Sequence, residues 1–203
     1  KSCENSNILK EWDFRYDLNS RGAYLFELIL KEVYLEIFGI QNFGKEVGVY
    51  LQDNTSMFIG LYKNFSRIVL SETSLWFKEN KEVTFEKIIS KVLKTKAIKW
   101  GAHNQVMFNN LFFNGKLPKF LGFDPGPYGL MGGRATVHQG QVFNSRGRVT
   151  SFTPSIRFIT DHAKDEIETC FAGGASGNRF SSYYKNRIKD WLLGNYDVLS
   201  GGD

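Results

Sequence analysis

Apolar side chains recur at helical spacing through residues 21–38, where Tyr24, Leu25, Leu28, Ile29, Val33, Leu35 and Ile37 fill most of the circumference. Asn19 or Ser20 suits the N-cap of this helix, and Gly39 suits its stop. Glu27 and Lys31 stand four residues apart on one face and can pair. A helix apolar on most sides has to be enclosed, and a chain of 203 residues offers little other material to enclose it. Glu27, Lys31, Glu32 and Glu36 interrupt the run and exclude a membrane span.

Residues 57–62 and 74–77 read as short helical turns between loops. A second amphipathic helix is expected where Thr84, as N-cap, precedes Phe85, Ile88, Ile89, Val92 and Leu93. Lys91, Lys94 and Lys96 lie toward its carbonyl end, where the helix dipole favours cations. The pattern then changes. Most of the 20 glycines lie beyond Trp100, as do all four prolines. Residues 135–142, 155–160 and 168–171 read as strands, the first two with partial alternation. Glycine and proline clusters separate them. A last helix is expected to start near Ser181 or Ser182 and to carry Tyr184, Ile188, Trp191 and Leu192 on one face. A helical first segment, 1–97, and a strand-rich second segment, 98–203, ending in a helix, give an α+β fold.

Composition narrows the classes. Aromatic residues make up 15% of the chain, 18 of them Phe, which demands a large buried volume or a partner surface. The net charge of +5 is scattered; the densest stretch, residues 87–99, is interleaved with apolar residues, so no nucleic-acid partner is expected. Cys3 and Cys170 form neither a metal spacing nor a disulfide framework, and their pairing stays open.

No residue constellation announces an active site. His103, His138 and His162 show no metal-ligand spacing. Residues 174–177 read Gly-Ala-Ser-Gly, short of the Gly-x-Ser-x-Gly elbow of a serine hydrolase, and Ser176 reads as a turn serine. Gly173 and Gly174 could cradle a phosphate through backbone N–H groups, but neither a following Lys nor a GxGxxG spacing supports it. Asp165, Glu166 and Glu168 read as a solvated turn opening a strand. Arg146 and Arg148 read as surface residues. Arg157 alternates with Ile156 and Phe158 and points to the opposite face of its strand; if that face is covered, Arg157 must find a partner.

The order of motifs, however, resembles the carboxyl-terminal end of the catalytic chain in the penicillin acylase (penicillin amidase) family. The resemblance rests on Gly174-Ala175-Ser176-Gly177, Ser181-Ser182-Tyr183-Tyr184, Trp191 and Gly194-Asn195-Tyr196. Relatives often carry His-Tyr in place of Tyr183-Tyr184. Leu9 with Trp12-Asp13 looks like the family's lead-in to a long helix; Trp100-Gly101 looks like its Trp-Gly stretch. Gly132-Gly133 with Thr136-Val137, and Pro154-Ser155-Ile156-Arg157, look like two of its strands. Residues 41–82 match no motif of the family.

The resemblance implies one piece of a four-layer αββα sandwich of the N-terminal nucleophile hydrolases. In that family a self-cleaved precursor exposes a terminal Ser, which attacks an amide carbonyl with its own α-amino group as base. The resemblance places the nucleophile, the oxyanion Asn and any calcium ligands in regions before Leu9. It therefore implies no catalytic, cofactor-binding or metal residue in this chain, with calcium admitted in the intact protein. Ser2 and Cys3 lie outside the nucleophile context. The implied partners are the remaining chains of the same precursor, an alpha chain and the nucleophile-bearing part of the beta chain, and a small N-acyl amide such as a penicillin. An extracytoplasmic or secreted location is implied. The alternatives are an aromatic-rich binding module, using for instance Tyr183 and Tyr184, and an inactive relative that keeps the fold as a scaffold.

Overall fold

The computed structural model describes residues 2–54, 60–133, 136–138, 149–150 and 153–200. It is a mixed helix and sheet structure, α+β as expected. Helices α1 (Ser2–Lys10), α2 (Arg21–Leu35), α3 (Lys45–Asn54), α4 (Gly60–Leu70) and α5 (Lys81–Leu93) precede the short α6 (Trp100–His103). Strands β1 (Gln105–Val106), β2 (Tyr128–Gly129), β3 (Val149–Thr150), β4 (Ile156–Asp161) and β5 (Glu166–Phe171) follow, then α7 (Ile188–Leu193) and β6 (Asp197–Ser200).

Ser20 caps α2 by accepting from the Ala23 N–H. Gly39 does not stop the helix. The helix passes through it as a π-helical turn, Glu36–Ile40, and is capped at Gln41. Gly39 is there for contact: it faces Gly48 of α3, where a Cβ would stand 2.5 Å from the Gly39 Cα. The enclosure of α2 also differs from expectation. The chain's own α1, α3, α5 and α6 pack around it, and Leu25, Val33, Tyr34, Ile37, Phe38, Phe65, Ile88 and Val92 form one core. Across the seam Lys91 pairs with Glu32 at 2.6 Å.

The cap of α5 lies four residues before the expected one. Asn80 accepts from the Val83 N–H and is the true N-cap. Thr84 is buried inside the helix, its hydroxyl donating to the Asn80 carbonyl. At the other end Asn5 of α1, 2% exposed, donates to the carbonyls of Leu93 and Thr95. Leu93 is the last residue of α5, where carbonyls lack partners within the helix, and Thr95 lies just beyond it.

The strands form two three-stranded sheets, β2-β1-β3 and β4-β5-β6. The second is an antiparallel meander in which Arg157 faces Cys170 and Ile167 faces Leu199. Of the strand expected at 135–142, residues 136–138 form a turn and the rest lies outside the described residues. Trp100 joins the halves. Its N–H donates to the Ser20 carbonyl and its indole to the Gly132 carbonyl, while the Gly132 N–H donates to the Tyr16 carbonyl.

Candidate functional site

The glycine-rich stretch from Gly173 is a packed turn. Arg187 N–H donates back to the Gly173 carbonyl, and Ser176 N–H to the Tyr183 carbonyl. Asn178 N–H is taken by the Ser176 hydroxyl, Phe180 N–H by the Asn178 amide oxygen, and Tyr183 N–H by the Ser181 hydroxyl. These amides are committed inside the turn, so they are not aimed at an anion. A Cβ on Gly174 would stand 1.8 Å from the Tyr183 carbonyl oxygen, whereas Gly177 faces open space. The last helix accordingly starts at Ile188 rather than near Ser181, since residues 181–187 run as turns. Tyr184 is not on a helix face. It is half-buried and donates its hydroxyl to the Phe123 carbonyl, leaving Tyr183 exposed alone.

The other sequence candidates are dispersed. Ser2 and Cys3 lie in the first turn of α1, and both cysteines are free thiols. The His103 ring packs edge-on against Tyr24, 5.0 Å away. His162 sits in the turn between β4 and β5, where Lys164 pairs with Asp161. Asp165 lies in that same turn, and Glu166 and Glu168 lie in β5. Arg146 and Arg148 lie outside the described residues. Among the described residues no three His, Cys, Asp or Glu side chains stand together as a metal site.

Arg157 is the exception. The face it points to is covered, and the residue is 6% exposed. Its guanidinium carbon lies 4.6 Å from the centre of the Trp191 ring, a cation–π contact. Nη1 donates to the Trp191 carbonyl at 3.0 Å and to His138 Nε2 at 2.5 Å. Cys170 and a hydrogen-bonding approach of Tyr196 favour the charge, yet Nε and Nη2 are buried with no well-aligned acceptor. Among the described residues no carboxylate pairs with it. Burial therefore pulls the Arg157 pKa down and pushes the Cys170 thiol up.

His138 has to be neutral to accept from a guanidinium, with its proton on Nδ1. Burial first, and the Arg157 charge second, bring its pKa from 6.5 to about 4. The other side of His138 lines a cleft of about 490 Å³ walled by Phe14, Tyr16, Met131, Thr136 and Tyr196. Sequence reading named His138 and Tyr196 but did not bring them to Arg157. They lie 19 and 39 positions from Arg157 and share no motif with it, so only the inward alternation of β4 gave a signal.

What the cluster can do chemically is hold three elements together: β4 through Arg157, α7 through Trp191, and the turn at 136–138 through His138. It contains no nucleophile with an adjacent base. The serine, the carboxylates and the remaining histidines all lie elsewhere in the described residues. Comparison with curated proteins finds no match. The penicillin amidase family profile, by contrast, matches residues 2–201, nearly the whole chain, and on that match the chain belongs to the penicillin amidase family.

Proposed function

We propose that this chain is the carboxyl-terminal part of the catalytic chain of an amidohydrolase that cleaves the linear amide bond of penicillins or other N-acyl compounds. Family membership across residues 2–201 carries the hydrolase reading. Amide hydrolysis through a covalent intermediate needs a nucleophile, a base and donors for the oxyanion. In this reading companion chains of the same precursor supply them, together with any bound calcium, and the present chain supplies part of the framework.

The second sheet supports a companion. Adjacent strands in register share faces. One face, with Arg157 and Cys170, packs against Trp191 of α7. The other carries Ile156, Phe158, Ile167, Phe171 and Leu199, each between 42% and 66% exposed. Thr160, Thr169 and Asp197 share this face, and Arg187 pairs with Asp197 over part of it, but the exposed apolar residues among them mark a side that another layer can cover. A second sheet laid on it would complete an αββα arrangement.

The test is native mass spectrometry of the undenatured preparation with amino-terminal sequencing of every chain found. A companion chain beginning with Ser, and amide hydrolysis by the complex, are the expected results. A chain that travels alone, melts cooperatively as a monomer and hydrolyses no N-acyl amide would overturn the proposal.

A further inference from the structure

We propose that the turn at residues 136–138 is an acid-released wall of the Phe14–Tyr196 cleft, latched near neutrality by the hydrogen bond from the Arg157 guanidinium to the His138 imidazole. The inference stands apart from the amide-hydrolase reading.

The turn is held differently at its two ends. Gly132 is fixed to the helical half through Trp100 and Tyr16. It has φ +80°, and a Cβ there would stand 2.2 Å from the His138 carbonyl oxygen, so the chain folds back tightly on this residue. Thr136 closes the turn by accepting from the Gly133 N–H. At the far end the His138 ring meets Nη1 of Arg157. Thr136, Val137 and His138 then form one wall of the cleft, opposite Phe14, Arg15 and Tyr16.

Protonating His138 turns an acceptor into a donor and sets an imidazolium against a buried guanidinium. The surroundings do not compensate. Arg157 from β4 meets the ring, and Tyr196 after α7, Arg15, Tyr16 and Asp17 line the same cleft, while Cys170 of β5, Asp190, Asp197 and Arg187 lie beyond Arg157. Of the carboxylates Asp17 is exposed on the rim, and Asp190 and Asp197 are paired with Arg187. Arg157 cannot lose its proton, so the hydrogen bond that latches the turn is lost.

The sign follows from linkage. The ring is depressed from 6.5 to about 4 while latched, and the released ring returns to its ordinary value. The latch is complete above pH 6.5, weakens as the pH falls, and reaches its weakest below about 4. The released fraction rises roughly tenfold per pH unit across that window, to at most about 300-fold, less because the ring is half exposed.

The measurement is hydrogen–deuterium exchange of the intact protein between pH 7.5 and 3.5, corrected for intrinsic exchange, on peptides covering residues 136–138. Wild type is expected to lose protection with a slope of one proton. His138→Gln, whose amide oxygen still accepts from Arg157, is expected to show no slope. A flat wild-type profile overturns the proposal without any variant, and equal slopes in wild type and His138→Gln overturn it as well.

Discussion

Gly174→Ala tests whether the glycine-rich turn is a packing device. The added methyl would meet the Tyr183 carbonyl oxygen at 1.8 Å and the carbonyl carbons of Tyr183 and Tyr184 at 2.8 Å. All three are backbone atoms, so no side chain can swing aside. Relief requires the 181–184 backbone to retreat by about 1 Å or more, from a position where overpacking usually costs about 1–3 kcal/mol. The retreat would also pull at the Tyr184 hydroxyl on the Phe123 carbonyl and at the Arg187 N–H on the Gly173 carbonyl, which places the effect toward the upper end. Gly177→Ala is the control, because nothing lies within 4 Å of its Cβ position and its φ is not positive. That change should fall within about 0.5 kcal/mol of wild type, or stabilise slightly by restricting the unfolded chain. Thermal melts of the intact protein, with and without inorganic phosphate, decide the matter. At about 2–4 °C per kcal/mol for a unit of this size, Gly174→Ala should melt several degrees lower and Gly177→Ala should not. Equal losses at both glycines, or a phosphate-dependent rise in the wild-type melting temperature that both variants abolish, would refute the packing argument and restore the anion loop.

Further changes probe the other joints. Phe158→Lys, on the exposed sheet face, should leave the fold of this chain intact but weaken recovery of the proposed companion in native mass spectrometry by tenfold or more, as expected for a charge placed where an apolar layer docks; unchanged recovery would argue that the face meets water. Asn5→Ala removes both donors to the end of α5, at 2.9 Å each, and should cost about 1–3 kcal/mol in denaturant unfolding. Asn80→Ala removes the cap of α5 and should cost about 1 kcal/mol by the same assay.

Helices α2 and α5 and strands β4 and β5 were legible because they rest on local periodicity, whereas α1, α3 and α4, of 9, 10 and 11 residues, were not expected. The α2 pattern is long and strongly apolar, and alternation in residues 155–160 marked β4 within a residue of its observed start. Errors came where two local readings competed and a distant contact decided. Asn80 and Thr84 are both capping residues; Thr84 lost because its side chain is buried against the core, where it bonds back to Asn80. Ser181 to Tyr184 suited a helix start, but Tyr184 is captured by Phe123, 61 positions away, and Gly174 clamps the Tyr183 carbonyl. The four-residue β6 has too few positions to show a period and exists by pairing with β5. Arg157 announced its inward direction through alternation, but its neighbours His138, Trp191 and Tyr196 meet it only in the folded chain.

The two faces of the second sheet carry the main physical argument about what this chain belongs to. In a sheet that meets water on one side, the apolar residues turn inward and the polar residues outward. Here the two faces depart from that order, although Cys170 lies on the inner one and Thr160, Thr169 and Asp197 on the outer one. The inner face contains a guanidinium held by a ring, a carbonyl and an imidazole, at the expense of its hydration. The outer face carries two Phe, two Ile and a Leu in the open. Covering five half-exposed side chains of that kind is worth about 4–8 kcal/mol by area, as an upper estimate. That is comparable to the whole stability of many domains. A chain that left this face bare would forgo that stabilisation while retaining the cost of the buried cation. The distribution becomes economical once a second apolar layer covers the outer face, because the sheet is then interior on both sides. Its face toward α7 is thereby the place where a buried Arg can fix the helix without solvent competing for the guanidinium.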